Sequence, residues 1–243
     1  MIYIDIETLP TQSAVRKQEI IDSVEVKCPH TTKGATAKDL GMTDSEAKFI
    51  SAGDLKQRWV DEVGVHLKEQ LGVEAWKKTA LSGEQGEICS ISFAINDGEI
   101  THITRGLDVE SEIELLEVFW DMLAMHLRGR ADEFCAHNKA FDLPFIYHRS
   151  VIVGVKPLFK FDPYARNHVC TMELWAGFKG RIGLDRLADM LGLSGKSGDG
   201  CHVFDWFDAG KFQKIADYND DDVRLLREIH QRLTFKVANE NLN

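Results

Sequence analysis

The sequence predicts an α/β fold: a mixed five-stranded sheet flanked by helices, with a helical insertion after the first strand. Three observations carry that reading. Short apolar runs of strand character alternate with stretches of helical period over residues 86–234. Asp97-Gly98 joins two of those runs, and residues of this kind tolerate the φ > 0 that a tight hairpin turn needs. Residues 10–85 break the alternation, and connections in compact domains are usually a handful of residues long.

Residues 1–9 are rich in Ile and Tyr and alternate loosely, as a strand does when both faces are covered. The segment 10–85 then carries helical patterns near 12–22, 44–52, 54–71 and 73–79. The expected organisation is one domain built from 1–9 and 86–243, interrupted by a helical insertion at 10–85. Strands follow at 88–96 (ICSISFAIN) and 99–104 (EITHIT), on either side of the Asp-Gly turn. Over 110–127 the residues Ile113, Leu116, Trp120, Leu123 and Leu127 share one helical face, with Glu110, Glu114, Glu117 and Asp121 away from it. EFCAH at 133–137 is a short strand, and Asn138 is placed to cap a helix reaching about residue 150. A fifth strand is read at 168–172 (HVCTM) and a helix at 184–192, closed by Gly192. After a loop at 194–202 the last helix spans about 211–234.

Length and composition bound the function. The chain has 243 residues, 44% hydrophobic and 28% charged, enough for a sizeable core. No apolar run approaches the roughly 20 residues that span a bilayer. The first residues lack a basic region followed by a long apolar one, so neither membrane span nor signal peptide is expected. The expected location is the cytoplasm, or the host's cytoplasm for a viral chain. The five cysteines are odd in number, scattered and without a CxxC pair, which suits reduced thiols. A net charge of −10 argues against a tight non-specific polyanion binder. It suits an enzyme that gathers carboxylates around cations, because bound cations invert the local field. Residues 10–85 hold 11 Lys+Arg and 12 Asp+Glu, so the excess acid sits in the remainder.

Four acids in that remainder stand out. Asp5 and Glu7 are two apart on an Ile-rich strand and so share one of its faces. If that face is buried, each unpaired charge costs several kcal/mol and a cation must offset the pair. If the strand lies at an edge, both acids simply face water. Asp142 falls in the first turn of its helix, where an acid also complements the helix dipole. On the last helix, Tyr218, Asp222, Leu225, Leu226, Ile229 and Leu233 form one stripe. Asp217, Asp220, Arg224, Arg227, Glu228 and Gln231 fall opposite, so Asp222 is the aspartate expected to point inward, one turn after Tyr218.

Together DIET at 5–8, HNKAFD at 137–142 and YNDDDV at 218–223 resemble the three exonuclease motifs of the DEDD superfamily, in order and in spread. Tyr218 matches the DEDDy branch; the histidine branch has His where Asp217 stands. The likeness covers about 1–9 and 87–234, includes Leu184 and the LGL of 191–193, and extends to KTALSGEQGEIC at 78–89. It is greatest to stand-alone phage and bacterial exonucleases related to the proofreading domain of family B polymerases.

The resemblance implies a ribonuclease H-like fold and a 3′–5′ exonuclease that releases nucleoside 5′-monophosphates from single-stranded or frayed DNA ends. It implies two Mg²⁺ or Mn²⁺ ions, hard cations that take oxygen ligands. Asp5 is then the bridging ligand, Glu7 and Asp222 complete the water-activating side, and Asp142 holds the ion on the leaving-group side. Tyr218 would orient water or the scissile phosphate, since free tyrosine titrates too high for a base. Thr8, Leu9, Asn138, Phe141 and Lys196 are the implied substrate contacts, with Leu9 as a wedge at the terminal base and Asn138 and Phe141 also read as structural. The partners implied are single-stranded nucleic acid, DNA before RNA, and replication or repair proteins. The rival readings are an exoribonuclease and a silent binding module of the same fold; the complete carboxylate set speaks against the second.

Other patterns carry less. Gly195-Lys196-Ser197 is similar to the end of a P-loop, but Met190 stands where that motif needs glycine, and a helix precedes it. Trp76-Lys77-Lys78, and Trp175 with Phe178, Lys179 and Arg181, set aromatics beside cations as single-strand binders do. A packed helix end is the plainer account of both.

Overall fold

The Ile-rich start of the chain forms the central strand of a five-stranded sheet. The computed structural model describes residues 1–127, 133–158, 161–193 and 200–236. In chain order the elements are β1 (Ile2–Leu9), α1 (Ala14–Ser23), α2 (Lys33–Asp39), α3 (Asp44–Ala47), α4 (Ala52–Trp59), α5 (Val65–Lys77), β2 (Glu87–Ile95) and β3 (Ile100–Thr104). They continue with α6 (Glu112–Leu127), β4 (Phe134–Ala136), α7 (Lys139–Val153), β5 (Val169–Cys170), α8 (Thr171–Ala176), α9 (Leu184–Met190), α10 (Val203–Asp208) and α11 (Phe212–Leu233). The strand order is β3-β2-β1-β4-β5. β1, β2 and β3 pair antiparallel, and β4 and β5 run parallel to β1, which gives the mixed sheet expected.

The period of two on β1 sorts its side chains. Ile2, Ile4 and Ile6 join the main core with Leu116, Phe119 and Leu123 of α6 and Leu143 and Ile146 of α7. The odd positions face α11: Tyr3 packs with Val223 and Leu226, and Leu9 with Ile215 and Tyr218. β1 is therefore central and covered on both faces, which removes the edge-strand account of Asp5 and Glu7. Farther along α11, Leu225 and Ile229 meet Leu184 and Leu187 of α9.

Three local expectations are corrected. Ile113 is 46% exposed, and the helix instead turns Glu112 inward one residue earlier. The left-handed residue of the β2–β3 turn is Asn96 (φ 53), neither Asp97 nor Gly98. Asn tolerates that conformation, and its use makes the turn one residue longer. The strand read at 168–172 ends at Cys170, because Thr171 already opens α8.

The chain divides into two compact units, Met1–Leu9 with Leu81–Asn243, and Pro10–Ala80. The division falls at Ala80 where the sequence placed it at 85. Residues 81–86 belong with the sheet because they pack on α7: a Cβ at Gly83 would lie 3.0 Å from the Phe145 Cα. In the helical unit, Ser13, Thr32, Thr43 and Ser51 cap α1 to α4 through their side-chain oxygens. α1 approaches α5 so closely that a Cβ at Gly72 would sit 3.0 Å from the Ile21 Cα. A π-helical turn at Val60–Gly64 joins α4 to α5, so the helix read at 54–71 continues to Lys77. Trp76 is buried, with Nε1 donating to the Thr11 carbonyl at 2.9 Å and the Lys17 ammonium 3.8 Å above its ring. Its part is structural.

Gly106 ties the end of β3 to the start of α11. Its φ is 78°, and a Cβ there would lie 2.5 Å from the Phe212 ring. Gly106→Ala is expected to cost about 2–3 kcal/mol in a denaturant titration, from backbone strain and overpacking together. Gly41→Ala, at φ 68° with open space around it, is expected to cost about 1 kcal/mol. No helix among the described residues is long and apolar enough to cross a membrane.

Candidate functional site

Asp5 and Glu7 lie on the β1 face that α11 covers, opposite Ser92 and Ser90 of β2 in the antiparallel register. The register shifts between Glu7 and Thr8, where β2 carries the extra residue Cys89. Such a bulge bends the strand and re-aims the side chains beside it. Both acids are half-buried, as is Thr8.

α11 supplies the third acid. Asp222 is 4% exposed and faces the sheet, as its place in the stripe predicts. Asp5, Glu7 and Asp222 each offer a carboxylate oxygen, and these atoms lie within 4.8 Å of one another. Among the described residues this is the group of His, Cys, Asp and Glu side chains arranged closely enough to hold one metal ion.

Asp142 lies beside that group and outside its 4.8 Å circle. It is buried in the first turn of α7. Burial pushes its carboxyl up to about 7, with the charge of Asp222 adding to the rise; backbone N–H groups of Asp142 itself and Ile6 work against it. Between about pH 4 and 7 the folded chain thus keeps a proton that the unfolded chain has released, so this group's contribution to stability falls as pH rises through that window. Relative to Asp142→Asn, the metal-free wild type is expected to lose thermal stability from pH 4 to pH 7. Melting curves in EDTA at several pH values measure it, and a gap of constant size would contradict the assignment.

A buried amide supports Asp5. Asn219 is fully buried between α11 and β2. With its oxygen turned to the Ser92 N–H (3.2 Å) and the Ser90 hydroxyl (3.0 Å), its nitrogen donates to Asp5 Oδ2 at 3.1 Å, an orientation fixed by the hydrogen-bond network. The Ser90 hydroxyl also meets Thr104 Oγ1 at 2.8 Å. Asp220, which the helical wheel placed outward, accepts from Ser92 Oγ at 2.8 Å and meets His102 Nδ1 at 2.8 Å. α11 lies across three strands, so its contact face is wider than the apolar stripe alone. Asn219, Ser90 and Ser92 escaped the sequence reading. The signal for the serines was there: two small polar residues at alternate positions of an otherwise apolar strand.

The remaining site residues divide. Tyr218 is 3% exposed, one turn before Asp222, with its ring 5.6 Å from that of Trp206 on α10. A Cβ at Gly200 would come within 3.2 Å of the Tyr218 hydroxyl, so glycine there leaves that oxygen its room. Leu9 is fully buried in the cluster around Tyr218, and the wedge expected at a terminal base is instead a core residue. Asn138 occupies the N-cap position of α7, yet its side chain makes no capping bond; its carbonyl receives the Phe141 N–H at 2.8 Å. Phe141 is half-buried on Phe145, with ring centroids 5.3 Å apart. Lys196 lies outside the described residues.

The donor set fits a hard divalent cation. All its ligand atoms are carboxylate oxygens, which Mg²⁺ and Mn²⁺ prefer. Cys89, the extra residue of the bulge, is fully buried, and burial and then the charge of Glu7 push its thiol well up. Cys28, Cys89, Cys135 and Cys170 are free.

Comparison with known proteins adds a family. Residues 81–226, more than half of the chain, match the family described as "Predicted 3'-5' exonuclease related to the exonuclease domain of PolB". The match contains Asp142, Tyr218 and Asp222 and begins after β1, so Asp5 and Glu7 precede it. Among solved structures the chain is similar to the family B DNA polymerase from the hyperthermophilic archaeon Pyrobaculum calidifontis, at 17% identity and a TM-score of 0.49. That likeness spans 63% of this chain and 22% of the polymerase. No curated protein matches the chain.

Proposed function

The chain belongs to the family of predicted 3′–5′ exonucleases related to the exonuclease domain of PolB, and from that premise we propose that it removes nucleotides from the 3′ ends of single-stranded or frayed DNA as nucleoside 5′-monophosphates. The observation that carries the reading is the convergence of Asp5, Glu7 and Asp222, from the first strand and the last helix, on one spot 4.8 Å across. Acids brought together from such distant points repel one another unless cations occupy the site.

Mg²⁺ or Mn²⁺, when bound as a pair, supplies Lewis-acid stabilisation of the phosphate, a nucleophile from water at neutral pH and support for the departing 3′-oxygen. Asp5 would be a ligand common to both ions, and Asn219 holds its carboxylate oriented before any cation arrives. Glu7 and Asp222 would hold the ion on the side of the attacking water, and Asp142 would serve the side of the leaving group. Tyr218, packed against Trp206, presents its hydroxyl from the turn preceding Asp222 to orient water or phosphate.

Digestion of end-labelled single-stranded DNA and RNA, with Mg²⁺, Mn²⁺ and EDTA in parallel, tests the proposal. A 5′-labelled DNA strand should shorten as a ladder from its 3′ end in either metal and stay intact in EDTA. Cleavage that persists in EDTA, or internal cuts without a ladder, would contradict it; a ladder on RNA alone would reassign the sugar.

A further inference from the structure

We propose that the segment Leu174–Arg181, at the end of α8, is a platform on which the single-stranded substrate lies as it enters the carboxylate site, with bases stacked on Trp175 and Phe178 and phosphates met by Lys179 and Arg181. The inference rests on the nuclease reading above and names the surface that would hold its substrate.

Exposure is the first observation. Phe178 is 85% and Trp175 43% exposed, while Phe119, Phe134 and Trp120 of the same unit are buried. Two exposed aromatic rings within four residues offer flat apolar faces that water solvates poorly.

The second observation is a tight, glycine-dependent turn that carries Phe178 directly after α8. Gly177 has φ 76° and Lys179 φ 64°, a left-handed conformation that a residue with a side chain rarely adopts. The Gly180 N–H closes the turn on the Gly177 carbonyl at 3.0 Å, and a Cβ at Gly180 would lie 2.1 Å from the Ala176 carbonyl oxygen. The turn therefore requires glycine at 180 and holds Lys179 where a lysine is disfavoured. Strain of this kind persists where the surroundings over-determine it, commonly at functional sites.

Placement is the third. β1, β4 and β5 run parallel, so their C-terminal ends share one edge of the sheet. Glu7 lies near that end of β1, Asp142 in the helix that follows β4, and Trp175 in the helix that follows β5. In sheets with parallel strands, ligands gather at this edge. His137, directly after β4, ties the segment there at both ends: Nδ1 lies 2.9 Å from Thr171 Oγ1 and Nε2 2.8 Å from the Ile182 carbonyl oxygen.

Charge names the occupant. Residues 174–184 hold Lys179 and Arg181 and no acid, in a chain of net charge −10. The Lys179 ammonium lies 5.4 Å from the Phe178 ring centroid, so cation and stacking face form one patch. Aromatic faces beside cations suit single-stranded nucleic acid, because every base has a π-face and every linkage a negative charge.

The test uses the full chain and a fluorescein-labelled single-stranded DNA oligonucleotide, read by anisotropy in Ca²⁺ and by digestion in Mg²⁺. Trp175→Ala and Phe178→Ala are each expected to weaken binding by about 5- to 150-fold. They should raise KM and leave kcat near the wild-type value, as loss of uniform binding does. Lys179→Gly removes the charge and relieves the left-handed residue, so it should fold at least as well. Its expected signature is a salt dependence of binding shallower by about 0.7 in log–log slope, the value for one phosphate contact on a single strand. If a ring variant also melts earlier, the Lys179→Gly slope decides: an unchanged slope overturns the platform. Wild-type digestion with unaltered binding in all three variants overturns the platform and leaves the nuclease reading standing. A wild type that neither binds nor digests the strand overturns both.

Discussion

Asp222→Asn should lower the rate of 3′-end digestion by at least about 100- to 1,000-fold, the scale on which removing one preorganised electrostatic contact acts, while leaving the metal-free protein more stable than wild type. Both effects come from one charge. Asp222 is 4% exposed, its carboxylate shares a 4.8 Å circle with those of Asp5 and Glu7, and it helps to push Asp142 up to about 7. Asparagine keeps the shape and removes the repulsion, so without metal the fold should gain about 1 kcal/mol, or about 2–4 °C in Tm. Added Mn²⁺ should then stabilise wild type far more than the variant, because a cation that binds only the folded state acts by mass action. Asp221→Asn is the control. Asp221 is partly exposed and pairs with Arg224 at 3.4 Å, so its loss should leave rate and melting point nearly unchanged. A variant at 222 that is both active and unshifted in Tm would remove Asp222 from the centre.

The largest effect on stability is expected from Arg149→Ala, about 3–5 kcal/mol, because it strands a buried carboxylate. Arg149 and Glu112 are 8% and 6% exposed. The guanidinium grips Glu112 with two bonds, Nε to Oε1 at 2.9 Å and Nη2 to Oε2 at 2.7 Å, and Oε1 also accepts the Ile88 N–H at 2.7 Å. One acid thus joins α6, α7 and β2 behind the sheet, on the face away from α11. Replacing both partners with leucine should be markedly milder than Arg149→Ala, since neither charge is then left unpaired. Urea titrations of the single and double variants decide it, and a double variant as damaged as the single would show that the unpaired charge does not set the loss, the Ile88 N–H being orphaned only in the double variant. Where the fold holds, digestion per folded molecule should be unchanged.

How much of this was legible follows the reach of periodicity. β1, β2 and α11 are long enough to display a period of two or 3.6, and the stripe on α11 singled out Asp222 correctly. α2, α8 and α10 run six or seven residues, too short for a period to declare itself, and went unread; α9, equally short, was marked by its closing Gly192. Glu112 resembles any acid in a first helical turn; only Arg149, 37 residues away, gives it another meaning. Asn219 likewise looks like a filler between Tyr218 and the aspartates until the register of β2 shows Ser90, Ser92 and Asp5 around its amide. Leu9 erred the other way, since its motif neighbours suggested a surface role while the fold closes α10 and α11 over it. Pairings that join distant segments are set by the sheet register and the helix crossing, which local patterns do not encode.

Anomalous diffraction from crystals soaked in Mn²⁺ is the most direct measurement of the central claim. Density peaks are expected within about 2.5 Å of carboxylate oxygens of Asp5, Glu7 and Asp222, with Asp142 reaching a second peak about 3.5–4 Å from the first. Peaks confined to surface acids, with none among these four carboxylates, would contradict the account.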